Sequence, residues 1–119
     1  MTIYGYARVS TDGQTLAAQE AALTAAGCAK IYSEKVSGVV IDRKALNRAI
    51  AAMQEGDTLI VTRLDRLARS TRDLLNVLDA IAKKGAGFKS LADTWADTTT
   101  PHGRLMLTVL GGLGEFEGN

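Results

Sequence analysis

The chain has one cysteine, one histidine and one proline among its 119 residues, and each scarcity removes an explanation. With Cys28 alone no intramolecular disulfide can form, and a start without a signal-peptide pattern agrees with a reducing, cytoplasmic setting. One histidine and one cysteine offer no metal-ligand cluster of recognisable spacing, so no metal and no cofactor are expected. His102 is the single candidate base for a Ser-His-Asp triad, and its place at the start of the last predicted helix reads as a surface or helix-start position. No stretch reaches the roughly 18 apolar residues of a membrane span. A formal charge of +1 carries no global basic signal, so any case for nucleic acid rests on where positive charge clusters. No internal repeat, low-complexity tract or linker interrupts the chain. With 46 % hydrophobic residues it is expected to form one compact domain.

What is present is a regular alternation of strand and helix patterns. Ile3, Tyr4, Tyr6 and Val9 predict a buried strand near 2–9, and Leu16, Ala17, Gln19, Glu20 and Leu23 a helix near 15–26 that Gly27 stops. A strand near 29–36 follows. Asp42, Arg43 and Lys44 introduce a helix with Leu46, Ile50 and Met53 at helical spacing, and Glu55, Gly56 and Asp57 form a turn into a strand over 58–62. A helix near 66–84 carries Leu67, Leu74, Leu75, Leu78 and Ile81 on its expected buried side, and a strand near 88–91 follows Gly85 and Gly87. This order predicts an α/β domain of three layers, with a largely parallel central sheet and helices on both faces. Thr98, Thr99, Thr100 and the one proline, Pro101, then mark a helix start. The helix they open reads Leu105, Met106, Leu107, Val109, Leu110, Leu113 and Phe116, apolar around more than one face, which predicts packing against a partner subunit as well as its own domain. Gly111, Gly112 and Gly114 each cost about 1 kcal/mol in a helix interior, and either allow close helix approach or let this end fray.

The chemistry concentrates in two places. Ser10 is expected at a strand's C-terminal end, where open α/β sheets present ligands, with Arg8 two residues before it. A serine hydroxyl is a weak nucleophile until its proton is removed or its alkoxide stabilised. Arginine is the resource available: Arg63, Arg66, Arg69 and Arg72 recur every third residue, with Asp65 between the first two. That spacing keeps guanidiniums near one helical face, where planar, permanently charged forks suit a phosphodiester and the charge of a phosphoryl-transfer transition state. On its own the same face also reads as a solvated helix with pairs such as Arg69 to Asp73.

The run Y-G-Y-A-R-V-S-T over residues 4–11, with Gln14 and Gln19, the S-G-x-x-x-D-R segment from Ser37 to Arg43, L-D-R-L-A-R-S over 64–70 and T-T-T-P-H-G-R-L over 98–105 together resemble the catalytic domain of the serine recombinases, the resolvase and DNA-invertase family. The resemblance runs from Thr2 to about Glu117, so residues 1–119 read as one catalytic domain. It implies an enzyme that cleaves and rejoins DNA through a 5′-phosphoserine intermediate without metal or ATP, and the chain holds no Walker-type G-x-x-x-x-G-K-[ST] loop. It implies Ser10 as nucleophile, Arg8, Arg43, Arg66 and Arg69 as phosphate-contacting and activating groups, and Tyr6, Gln14, Gln19 and Asp65 as supporting positions; Arg63, from the arginine cluster itself, is a further candidate for binding a DNA phosphate. Asp65 either protonates the leaving 3′ oxygen or orients Arg8 and Arg66, and Glu34 matches an acidic position in the second strand. The implied partners are DNA and a second copy of the chain, a dimer assembling to a tetramer through the last helix, with no membrane.

Where the family continues its last helix through E-F-E-R into an arm and a helix-turn-helix DNA-binding domain, this chain reads Glu115, Phe116, Glu117, Gly118 and Asn119. A truncated dimerisation helix and an absent DNA-binding domain are therefore expected, which leaves a second reading: an inactive module that dimerises with and regulates intact recombinase subunits. A third, a response-regulator domain with the same alternation, expects clustered aspartates at strand ends, where the first strand instead offers Arg8 and Ser10.

Overall fold

Ile3, Tyr4, Tyr6 and Val9 give the first strand its β-branched and aromatic residues, and in the computed structural model they lie in β1 (Ile3–Ser10). Residues 1–10, 16–36, 44–64, 71–106 and 109 are described here, with the backbone alone for Val9, Ser10, Lys35, Val36 and Thr71. After β1 come α1 (Leu16–Ala25), β2 (Lys30–Val36), α2 (Lys44–Ala52), β3 (Thr58–Val61), α3 (Thr71–Lys83) and β4 (Gly87–Ser90). The sheet order is β2-β1-β3-β4, and every pairing is parallel, with Tyr6 opposite Tyr32 on one side and Val61 on the other. The expected α/β architecture is thus the one observed.

Alternation along the strands sends side chains to two cores. Tyr6, Leu59, Val61 and Phe88 pack with Leu46, Ala49 and Met53 of α2 and with Leu74, Val77 and Ile81 of α3 on one face. Ala7 and Ile60 pack with Leu23 of α1 on the other. Burying a side chain such as Leu59 or Phe88 contributes roughly 1.5–3 kcal/mol, so both faces hold the sheet flat against its helices. The α1 face is thin because β1 offers Gly5 there: a Cβ on it would stand 3.0 Å from Cys28 Sγ and 3.2 Å from Leu23 Cδ1. Gly27, at φ +96°, ends α1 as expected, with the Cys28 amide donating to the Leu23 carbonyl at 3.2 Å.

Two helix expectations shift in detail. In α3 the buried stripe is Leu74, Val77 and Ile81, while Leu75 and Leu78 are half-buried at its margin. Both stripes run in steps of three and four residues, so packing against the sheet and not spacing selects the observed one. Leu67 lies outside the described residues, as does Arg69 of the pair with Asp73. At the last helix start only Thr100 caps: its Oγ1 accepts the Gly103 amide at 3.0 Å, and residues 101–106 are helical from Pro101 onward. Thr98 instead serves β4, its Oγ1 accepting the Phe88 amide at 2.8 Å. Gly103 lets this helix sit on the preceding loop, since a Cβ there would fall 2.1 Å from the Asp97 carbonyl oxygen. Leu105, Met106 and Val109 are 60 %, 37 % and 50 % exposed. The rest of the expected dimerisation helix, including Leu107, Leu110, Leu113 and Phe116, lies outside the described residues. Among the described residues no helix is long and apolar enough to cross a membrane.

Candidate active site

The chain steps from β1 outward to β2, then returns past β1 to β3 and on to β4. That reversal puts a topological switch point between β1 and β3, where open α/β sheets leave a crevice beyond the strand C-termini. Ser10 closes β1, paired in register with Val36. Tyr6 pairs with Val61, so Arg8 on β1 and Arg63 after β3 each follow that pair by two residues on neighbouring strands. Arg8 is half-buried and Arg63 exposed. The sheet thereby brings the Arg8 and Ser10 end of β1 beside the exit of β3, from which Asp65, Arg66 and Arg69 follow in sequence.

Backbone on both sides of this crevice is held by buried and half-buried polar side chains. Gln19, on the inward face of α1, accepts the Arg8 amide at 3.2 Å and donates to the Arg8 carbonyl at 3.0 Å. The β1–β3 pairing stops at Tyr6, and the Gln19 amide satisfies Arg8 beyond that point, as buried backbone requires. Tyr6 is fully buried and donates its hydroxyl to Glu34 Oε2 on β2. The other Glu34 oxygen accepts the amide of Ala45, second residue of α2, at 2.9 Å. A carboxylate there satisfies one of the orphan N–H groups of the helix start and opposes its dipole favourably. Lys44, where α2 begins, directly follows Arg43. Across the crevice Asp93 Oδ2 accepts the Leu64 amide at 2.9 Å and the Ser90 hydroxyl at 2.9 Å.

Of the residues expected at the site, the structure joins Tyr6 to Glu34 and Gln19 to the Arg8 backbone, ends β1 at Ser10, and puts Arg63 on the adjoining strand exit. The Tyr6 hydroxyl donates to Glu34. Gln14, Arg43, Asp65, Arg66 and Arg69 lie outside the described residues. His102 is exposed in the first turn of the last helix, as its sequence position suggested. Ser90 and Asp93 were not anticipated. Their spacing just past a strand is a recognisable turn pattern, but the link to Leu64 spans 29 residues and has no local signal.

Away from this crevice, Asp57 accepts the Gln54 amide at 2.8 Å and the Thr2 amide at 2.8 Å at the N-terminal end of the sheet. Those two bonds, Gln54 foremost, hold its carboxyl below the usual carboxylate range. Burial pushes the Cys28 thiol up, which suits a packing residue and not a nucleophile. A cleft of about 1150 Å³ also opens at that end, between α3 and the starts of β3 and β4, lined by Leu75, Leu78, Gly87, Thr99 and Arg104. This cleft therefore lies at the opposite end of the sheet from Arg8 and Ser10.

A four-stranded parallel sheet of order β2-β1-β3-β4, with Arg8 and Ser10 at the switch-point end of its first strand, defines an open α/β domain of the doubly wound kind. The chain belongs to the resolvase family: the model of the resolvase N-terminal domain matches residues 3–119. It is 50 % identical over 119 residues to a resolvase of Clostridium perfringens, covering 97 % of this chain and 63 % of that protein. It is 44 % identical over 115 residues to the serine recombinase gin of Escherichia phage Mu, covering 97 % of this chain and 59 % of the relative. The chain thus spans about three-fifths of the length of these relatives. Among solved structures it resembles the N-terminal catalytic domain of TP901-1 integrase, with TM-score 0.83 and 32 % identity over 98 % of this chain and 96 % of that one.

Proposed function

We propose that residues 1–119 form the catalytic domain of a site-specific serine recombinase, an enzyme that exchanges DNA strands. The observation that carries this reading is the parallel β1–β3 pairing, which sets the Arg8 and Ser10 strand end against the exit leading to Asp65, Arg66 and Arg69. In the proposed reaction Ser10 Oγ attacks a backbone phosphorus, the bond to the 3′ oxygen breaks, and a 5′-phosphoserine ester forms. The serine proton is lost and the leaving 3′ oxygen gains one, with Asp65 as donor or as the group orienting Arg8 and Arg66. One phosphate ester replaces another, so resealing by the 3′ hydroxyl needs neither ATP nor a metal. Arg8, Arg43, Arg66 and Arg69 supply fixed positive charge to the pentacoordinate phosphate. Tyr6, Gln14 and Gln19 support that arrangement, and Arg63 extends it toward the DNA backbone.

The proposed partners are DNA and a second copy of the chain, docked through the last helix, where Leu105, Met106 and Val109 leave apolar surface exposed. Two such dimers would form the tetramer that recombines two sites. Sequence-specific targeting is assigned to a helix-turn-helix domain outside these residues, because phosphate contacts from one domain of near-neutral charge are few and salt-sensitive.

The test is to trap a covalent adduct. The chain is joined to a heterologous DNA-binding domain, incubated with end-labelled cognate duplex and denatured, with Ser10→Ala alongside. An adduct on the 5′ side of the break that disappears in Ser10→Ala supports the reading. A folded dimer that forms no adduct would replace it with the regulatory dimerisation module.

A further inference from the structure

We propose that Asp93 is a positioning residue for the arginine segment after β3: its carboxylate holds the amide of Leu64, the residue from which that segment departs. This role rests on the recombinase reading above. The carboxylate is well placed to do so. Strand pairing between β3 and β4 ends at Val61 and Ser90, yet the two exits stay joined, with the Leu91 amide donating to the Val61 carbonyl at 2.9 Å and the Ala92 amide to the Thr62 carbonyl at 2.9 Å. The next bond along that seam is the one from the Leu64 amide to Asp93 Oδ2, at 2.9 Å. The same oxygen takes the hydroxyl of Ser90, which is fully buried, so the side chain is locked from below.

The outer edge of β4 is braced as well. The Ser90 amide donates to the Ala96 carbonyl at 3.0 Å and the Thr98 amide to the Phe88 carbonyl at 2.9 Å, so the loop bearing Asp93 is fastened to the strand at both ends. Bonds from backbone N–H to an ionised carboxylate are about twice as strong as neutral ones. Leu64 is the last residue before Asp65, and two of the four arginines expected at the phosphate, Arg66 and Arg69, follow within five residues. A displacement of a reacting group by about 1 Å costs on the order of 100-fold in rate, so a tie at the root of this segment acts on chemistry without touching DNA.

The role predicts a split between binding and chemistry. In the fused protein, single-turnover adduct formation at saturating DNA and the DNA dissociation constant are measured for Asp93→Ala, Asp93→Asn, Arg66→Ala and the Asp93→Ala/Arg66→Ala pair. The folded fraction of each is fixed by circular dichroism. Asp93→Ala should slow adduct formation about 10–100-fold while the dissociation constant moves less than about threefold. Asp93→Asn, which keeps an acceptor oxygen for Leu64, should recover most of the rate. On the Arg66→Ala background the Asp93→Ala change should cost less than it does in the parent, because one of the groups it positions is gone while Asp65 and Arg69 remain. A wild-type rate for Asp93→Ala, losses that multiply in full with Arg66→Ala, or Asn as impaired as Ala would each overturn the proposal. A folded parent with no Ser10-dependent adduct would instead overturn the recombinase reading, and this role with it, before any variant is compared.

Discussion

At the N-terminal end of the sheet Asp57 gathers the amides of Thr2 and Gln54, and at the C-terminal end Glu34 and Asp93 take those of Ala45 and Leu64. The device is the same at both ends, a carboxylate accepting backbone N–H donors, all but the neighbouring Gln54 amide from 11 or more residues away. What the tied backbone leads into differs. Thr2 and Gln54 lead into β1 and into the turn before β3, so Asp57 fastens the first strand to the α2–β3 connection and nothing more is asked of it. Ala45 and Leu64 border the stretches that carry Arg43 and Asp65, Arg66 and Arg69. A polar tie is thus structural or functional according to the segment it anchors, and its geometry alone does not say which.

If both ends belong to one folding unit, removing the fully buried Phe88 ring from β4 should undo them together. Phe88→Ala is expected to cost about 3–5 kcal/mol, read as a single denaturant transition by circular dichroism and Trp95 fluorescence. Two separate transitions would show that the ends are held independently. Arg8→Ala should separate chemistry from stability at the C-terminal end. Adduct formation is expected to fall by about 10²–10³, as when one charge-stabilising donor is removed. Stability is expected to fall less than adduct formation, since the Gln19 bonds to the Arg8 backbone stay in place. An equal loss of folded protein would assign Arg8 to the scaffold.

Asp57→Asn should do the reverse, lowering the melting temperature near neutral pH while adduct formation per folded molecule stays at the wild-type level. The pH dependence has a definite sign. The carboxyl is held below its ordinary value in the folded chain, so its stabilisation is fully present above the ordinary carboxylate pKa of about 4 and is lost as pH falls through the depressed folded value. Melting curves from pH 7 down to pH 2 should therefore converge for wild type and Asp57→Asn at the acid end. Parallel curves would mean that the Asp57 charge is not what the two amides hold.

Much of this architecture was legible in the letters. The strand and helix order followed from hydrophobic period and glycine stops, and Gly27 ends α1 where the sequence reading put it. Ser10 was expected at a strand end, and β1 does end there. Less legible was the buried side of α3, where Val77 displaced Leu75 and Leu78, because apolar residues at both spacings leave the stripe to be chosen by what α3 packs against. The three threonines before Pro101 looked interchangeable as caps. Only Thr100 caps, since Thr98 is drawn to β4 and the Thr99 amide donates to Asp97 Oδ1 at 2.9 Å.

Motif order and spacing, a local property of the chain, were enough to point to the resolvase family and to nominate a serine and its arginines. Local propensity and periodicity were enough for the alternation of strands and helices, because those forces act within a few residues. The strand order β2-β1-β3-β4, which makes neighbours of β1 and β3, exists only once long-range pairing is made. So do the grips of Gln19 on Arg8, Glu34 on Ala45 and Asp93 on Leu64. Each joins residues 11 or more apart, and which amide a carboxylate or carboxamide meets is set by packing of the whole sheet against its helices, a balance no single stretch of sequence contains.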